Sequence, residues 1–346
     1  MNAETRQIEI NWPKPSKVRI FPIFLPNWGC AKRCAFCSQE AQTGRKASLE
    51  ELDNILDKCR VEIERSQVRG YPAFYGGTFS ALPDAVWKKC LNFAKSLKRV
   101  GLTGGFRFST RPDALSEKRL IEALEAGCEL VEFGVQSFDD RVLAASGRGC
   151  DGRLSRLGPE LCSSLRIPFG VHLMPGLPGS SQEIFLNDAR VALELNASCL
   201  RVHPCLVLRG TRLEKDWREG RYRPLELDET LELVARVWII ANERGVPVIR
   251  VGVAPEDVFL ESILAGPFCP SMGSRVQGRA LLKIVESRIA KGERIVRVTL
   301  PRRVSGFLFG KKGELAPAWR ALNVDKFNIE YDEGDLIRIT TAAGRL

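Results

Sequence analysis

The sequence has only two histidines, three methionines and four tyrosines in 346 residues. Long apolar runs are also missing. Stretches such as Val234–Ala241 are far too short to cross a bilayer, which excludes a helical membrane span. The first twelve residues, MNAETRQIEINW, lack a basic segment followed by an apolar one. No secretory leader is therefore expected, and the chain is expected in the cytoplasm. No internal repeat or low-complexity tract is visible. What remains, 44% apolar and 27% charged residues, is the composition of a soluble globular protein with a sizeable core. The length fits one large α/β domain plus a smaller one.

Cysteine is not scarce. There are eleven, an odd number, and a reducing cytosol argues against disulfides, so clustered cysteines are read first as metal or cluster ligands. Lysine and arginine exceed aspartate and glutamate by 52 to 42, a net charge of +10. That surplus suits a polyanionic partner but equally suits a solvated basic surface.

Strand-like runs at Val18–Leu25, Pro72–Tyr75, Gly105–Ser109, Leu130–Gly134, Gly170–Leu173, Cys199–Leu206 and Val248–Val253 alternate with amphipathic helical stretches. The helices run over Leu49–Val68, Asp84–Lys98, Ser116–Ala126, Gln182–Leu195 and Leu227–Arg244, with Ser48, Ser116 and Asp228 as candidate caps. Each parallel strand pair needs a crossover helix, so the order predicts a parallel α/β sheet closed into a partial TIM-type barrel. Reactive groups of such barrels collect at the C-terminal strand ends. A turn-rich break at Gly266–Pro270 precedes a closing helix, about Gly273–Ala290. The expected division is residues 1–290, barrel with an N-terminal leader, and 291–346, a small α+β domain.

Directly after the first strand stand Cys30, Cys34 and Cys37, spaced C-x3-C-x2-C. Three thiolates on one loop can bind three irons of a [4Fe–4S] cube and leave the fourth open, as a catalytic site needs. Zinc with a distant fourth ligand is the alternative. The other eight cysteines show no second ligand spacing, and most are expected to be buried as small apolar residues. His172 and His203, each beside apolar residues, are read as satisfied buried histidines before catalytic ones.

With Phe36 before the last cysteine, this loop resembles the signature of the radical S-adenosylmethionine (SAM) superfamily. There the open iron chelates SAM, and one electron splits the sulfonium to methionine and a 5′-deoxyadenosyl radical. Further strand-end motifs match in order. Gly76-Gly77-Thr78 resembles the glycine pair at the SAM amine, and Ser109–Asp113 and Gly134–Phe138 follow later strands. The resemblance implies that Gln136 and Arg148 contact the SAM ribose and carboxylate. It also implies that Phe36, Thr78, Ser109 and Met174, the last in the His172–Gly179 segment, stand at the cofactor.

The wording of residues 18–275 is most similar to the radical SAM part of the Elongator tRNA-modifying subunit, and less so to oxygen-independent coproporphyrinogen oxidases. The remaining tail is too short for Elongator's acetyltransferase domain, so acetyl-CoA chemistry is not implied. In the tail, β-α-GxxG-α-β-β with Gly310-Lys311-Lys312-Gly313 between the helices resembles a KH RNA-binding domain, with Arg302 and Arg303 nearby. Here the helices are expected at Val304–Phe309 and Glu314–Leu322. The expected protein is a radical SAM enzyme acting on RNA (tRNA), fed by a ferredoxin or flavodoxin. The alternative is one acting on a small molecule such as a tetrapyrrole, with a purely structural tail.

Overall fold

The structure, a computed structural model, describes residues 5–14, 18–25, 28–30, 34–38, 49–66, 68, 70–253 and 257–343. The chain opens with β1 (Thr5–Asn11) and enters the barrel at β2 (Arg19–Phe24), α1 (Leu49–Arg65), β3 (Gly70–Tyr75), α2 (Asp84–Arg99) and β4 (Phe106–Thr110). It continues through α3 (Glu117–Glu125), β5 (Cys128–Gln136), α4 (Asp140–Ala145), α5 (Gly152–Ser164), β6 (Phe169–Leu173), α6 (Gln182–Glu194) and β7 (Cys199–Val202). Beyond lie β8 (Val207–Leu208), α7 (Arg212–Arg218), α8 (Leu227–Glu243), β9 (Val248–Val251), α9 (Asp257–Ser262), β10 (Ile263–Ala265) and α10 (Met272–Arg288). The tail comprises β11 (Glu293–Pro301), α11 (Ala316–Ala321), β12 (Ile329–Asp332) and β13 (Leu336–Ala343).

Seven strands, β2 to β7 and then β9, pair in chain order in one parallel sheet, the partial barrel expected from the strand–helix alternation. All seven strand candidates lie in it. Among the described residues the seventh pairs only with β7, and no strand joins β2 to β9. One face of each strand packs under the helices, where Phe21, Phe74, Phe106, Phe108, Phe133 and Phe169 are all but fully buried. Each such side chain contributes roughly 2–3 kcal/mol of hydrophobic stabilisation. The opposite faces turn into the lumen, and there the strands carry Tyr75, Arg107, Glu132, His172 and Arg201.

Local signals are kept in part. Ser116 caps α3 by accepting from the Arg119 amide. Asp228 does not cap α8: Glu226 stands at the cap, and Asp228 reaches Arg275 and Arg279 of α10 instead. A carboxylate in the first turn is favourable without being the cap. Ser48 lies outside the described residues. The strand expected to run to Leu206 stops at Val202; Val207–Leu208 instead pairs with β10 in a separate two-stranded sheet.

The tail forms a four-stranded sheet in the order β1-β13-β11-β12. Its outer strand is the N-terminal β1, expected as a leader to the barrel, which pairs antiparallel with β13 so that Ile8 meets Ile339 and Ile10 meets Ile337. The reason is the alternation itself: Ile8 and Ile10 present an apolar face that only the tail's core can bury. The first helix expected in the tail is 3-10, Arg302–Phe307, and the second is shorter than expected, α11. Trp12, just after β1, stacks on Trp238 of α8 with ring centroids 4.3 Å apart, and Arg303 donates to its carbonyl. Trp12→Ala should therefore cost about 3–5 kcal/mol in denaturant unfolding, with the tail loosening first in hydrogen exchange. Unchanged protection of β13 in that variant would show that β1 is only an ornament.

Candidate active site

Three loops at the C-terminal strand ends are tied together around the cysteines. Gly29, with φ of +79°, lies so close to the third strand's loop that a Cβ there would stand 2.3 Å from the Thr78 carbonyl. The Thr78 amide donates to the Trp28 carbonyl, and Thr78 Oγ1 lies 3.2 Å from Cys30 Sγ. Farther along, the Ala35 amide donates to the Ser146 carbonyl, and the Leu213 amide to that of Ala35. The cysteine loop is thus pinned at one end to the Gly-Gly-Thr turn and at the other to the turn that ends in Arg148. Gly76 has φ of +82° and Gly77 of +112°, and a Cβ at Gly76 would meet the Leu25 carbonyl at 2.5 Å.

Arg148 is 5% exposed. One Nη lies 3.4 Å from Cys34 Sγ, the other donates to the Gly134 carbonyl, and Nε is buried without a partner among the described residues. Arg111 holds its backbone in place by donating to the Arg148 carbonyl while its guanidinium clasps Asp113. Gln136, at a bulge in the β5–β6 register, is forced to φ of +73°, a conformation non-glycine residues rarely hold without a functional or packing reason. Phe36 and Met174 join one small apolar cluster beside the loop with Val142, Leu177 and Cys205. Ser109, Gly76 and Gly77 line the lumen.

The donor set fits an iron–sulfur cube. Three thiols are soft ligands of the kind iron–sulfur cubes take, and the buried Arg148 guanidinium lies against one of them, Cys34. Among the described residues, no three His, Cys, Asp or Glu side chains converge as ligands of one ion would. Thiolates that each bind a different iron of a cube need no such convergence. Of the other eight cysteines, Cys59, Cys90, Cys128, Cys162, Cys199 and Cys205 are buried, and Cys150 and Cys269 half-buried. Burial pushes the Cys59, Cys90, Cys162 and Cys199 thiols up to about 12, so they are inert at neutral pH.

From the rim formed by Gly76 and Gly77, a cavity of about 1260 Å³ runs down the lumen to the tail, where Trp12 and Phe307 line it. Its wall holds a network that the strand pattern did not reveal. Glu132 is fully buried and meets Tyr75, Arg201, Arg107 and His172 at 2.8, 2.6, 4.0 and 3.1 Å. Burial alone would raise its carboxyl, but the His172 hydrogen bond, the Arg201 charge and Tyr75 hold it down at about 2. Burial also lowers His172, so the neutral ring donates Nε2–H to the acceptor-only carboxylate. His172 is hydrogen-bonded to Glu132, but it is half-buried on the cavity wall rather than in the core as expected. His203 is not bonded in this way: its ring sits 5.6 Å from that of His172, and its buried Nε2 has no partner among the described residues.

The basic candidates of the tail separate. Lys311 and Lys312 are exposed, with Lys312 at φ of +54° between Gly310 and Gly313, both also at positive φ. Glu314 anchors this turn, accepting from the Lys311 amide while Arg275 and Arg279 of α10 hold its carboxylate at about 2. Arg302 pairs with Glu333, and Arg303 spends its donors on Trp12, Gly334 and Asp335.

Comparison with known proteins gives matches over most of the chain. The radical SAM superfamily profile matches residues 26–192, and the radical SAM C-terminal domain profile matches 197–281. The chain is 29% identical over 248 residues to a tRNA uridine(34) acetyltransferase of Methanocaldococcus infernus, covering 59% of this chain and 46% of that protein. It therefore spans about half the length of that curated relative. An uncharacterized protein of Methanocaldococcus jannaschii is 27% identical over 270 residues, 73% of this chain and 81% of its own length. Among solved structures, the archaeal Elp3 of M. infernus with an N-terminal deletion superposes with a TM-score of 0.59 at 20% identity, over 82% of this chain and 71% of that one.

Proposed function

The chain belongs to the radical SAM superfamily of enzymes, whose members use a [4Fe–4S] cluster and SAM, and on that premise we propose that it cleaves SAM reductively and acts on RNA, most simply tRNA. The observation that carries the first half is the tying of the cysteine loop to both the Gly76-Gly77-Thr78 turn and Arg148 at the mouth of the lumen.

When bound, the cluster supplies the electron that splits the sulfonium bond of SAM and so yields a hydrogen-abstracting radical. Cys30, Cys34 and Cys37 would hold it. Gln136, held at its bulge, and Arg148, against Cys34, would contact the SAM ribose and carboxylate. Gly76 and Gly77 let backbone carbonyls approach the amine of SAM where a Cβ would block them. Phe36 and Met174 would offer SAM apolar surface, and Ser109 a hydroxyl. The lumen walls then exclude bulk water around a reactive species. A ferredoxin or flavodoxin would bring the electron.

Support for RNA is of three kinds: the net charge of +10, a relative named as a tRNA uridine(34) acetyltransferase, and the exposed lysine pair in a turn bounded by glycines. Backbone amides and two cations at such a turn suit a sugar-phosphate backbone. Residues 291–343 together with Thr5–Asn11 would form the RNA-binding unit. Changing Lys311 and Lys312 to Glu should weaken tRNA binding about tenfold or more and flatten its salt dependence. Equal affinity and slope would leave the tail a structural piece and favour a small-molecule substrate. Mass spectrometry of tRNA nucleosides from a strain lacking the gene tests the substrate class, with one missing modification as the expected result.

A further inference from the structure

The lumen below the SAM-binding rim is cationic. Lys14, Arg107, Arg201, Arg250 and Arg303 all line it. Among the described residues, Arg107 and Arg201 share one carboxylate, Glu132, while Lys14 and Arg303 share another, Asp335. Four cations therefore divide two carboxylates between them, inside a cavity whose apolar walls focus the excess positive potential. Both histidines of the wall are lowered, so neither supplies a compensating charge nor adds to it.

Among the described residues, Arg107 and Arg201 use their donors only in part. Arg107 reaches Glu132 only at 4.0 Å, and its Nε has no hydrogen-bond partner among the described residues. Arg201 donates one Nη to Tyr75 and Glu132, but its Nε, 2.6 Å from Glu132, lacks the alignment of a hydrogen bond. His203 Nε2, in the same wall, is a buried polar atom with nothing opposite it among the described residues. Buried groups of this kind ordinarily find a partner. Arg250, opposite Arg201 in the β7–β9 register, extends the patch to the open side of the barrel. Arg107 and Glu132 lie several residues inside the strand ends that carry Gln136 and Gly76, and SAM's own carboxylate is told apart from the anion by titrating protein already saturated with SAM.

We propose that Arg107, Arg201, Arg250 and His203 form an anion site in the lumen, which takes a carboxylate or phosphate carried by the group that the enzyme activates. The inference rests on the radical SAM reading above, since it makes the lumen the place where the substrate meets SAM. It specifies that the substrate's reacting arm is anionic beyond the reacting carbon, a demand that an uncharged base or a neutral alkyl chain would not meet.

The test is calorimetric titration of the anaerobically reconstituted, SAM-saturated protein with inorganic phosphate and, separately, with glutarate. Arg107→Gln and Arg250→Gln are titrated alongside, with cluster absorbance and circular dichroism confirming that each is folded and loaded. Arg250 lies on the exposed edge strand, so its variant retains the packing even where Arg107→Gln does not. Binding of phosphate, of glutarate or of both that falls about tenfold in the variants supports the site, and the anion that binds more tightly names its source. No binding of either anion to the wild-type protein, or equal binding by the variants, overturns it. Formation of 5′-deoxyadenosine by the wild-type protein is scored separately. Its absence would sink the radical SAM reading and leave the anion result standing, while its presence with no anion binding would do the reverse.

Discussion

Cys34→Ala abolishes the visible absorbance of the reconstituted protein and all 5′-deoxyadenosine formation, whereas Cys199→Ala leaves both intact. Cys34 sits under the Arg148 guanidinium on the loop pinned between two strand-end turns, so its loss removes a ligand that no neighbour replaces. Cys199 is a buried thiol in β7, close to the backbone of Gly170, and its burial keeps it protonated. The comparison distinguishes the three-cysteine loop from the remaining thiols in one spectrum each. Equal loss of absorbance in both variants would mean that the cluster is held elsewhere.

Glu132→Gln is the second large effect. The carboxylate is the only anion in contact with Arg107 and Arg201 among the described residues, and it also accepts from Tyr75 and His172. Removing it leaves two guanidiniums facing each other in a low-dielectric wall, which should cost about 3–5 kcal/mol in denaturant unfolding of the apoprotein. The pH dependence has a definite sign. The carboxyl is lowered in the fold to about 2 from 4.5, so it contributes stability that is complete above the unfolded value and is lost as pH falls from 4.5 towards 2. Wild-type stability should therefore drop more steeply than that of Glu132→Gln across this window. Parallel acid slopes would show that the fold does not lower the Glu132 carboxyl.

Much of this was legible from residue order. Strand–helix alternation placed all seven barrel strands because a parallel sheet buried on one face writes apolar runs with helices between them. The cysteine loop and the strand-end glycines stand out in the sequence because their residue types and spacing match the family's motifs, and the fold brings them to neighbouring strand ends. The pairing of β1 with β13 was not, since an alternating strand states which face it buries but not against which partner. Glu132 was hidden for a related reason. In Cys128–Gln136 it reads as one polar position of a strand, and only the register with β4 and β6 shows that Arg107, His172 and Arg201 surround it. Arg303 misled in the opposite direction: a basic residue beside a GxxG turn reads as a phosphate contact, yet its guanidinium ties the tail to Trp12 and Asp335.

The most direct test of the central claim is electron paramagnetic resonance of the reduced, anaerobically reconstituted protein, recorded before and after SAM is added. One [4Fe–4S] signal, corresponding to about four irons per chain, should appear and then change shape as SAM takes the open iron. A signal indifferent to SAM, or a chain that binds one zinc and no iron, would contradict the account.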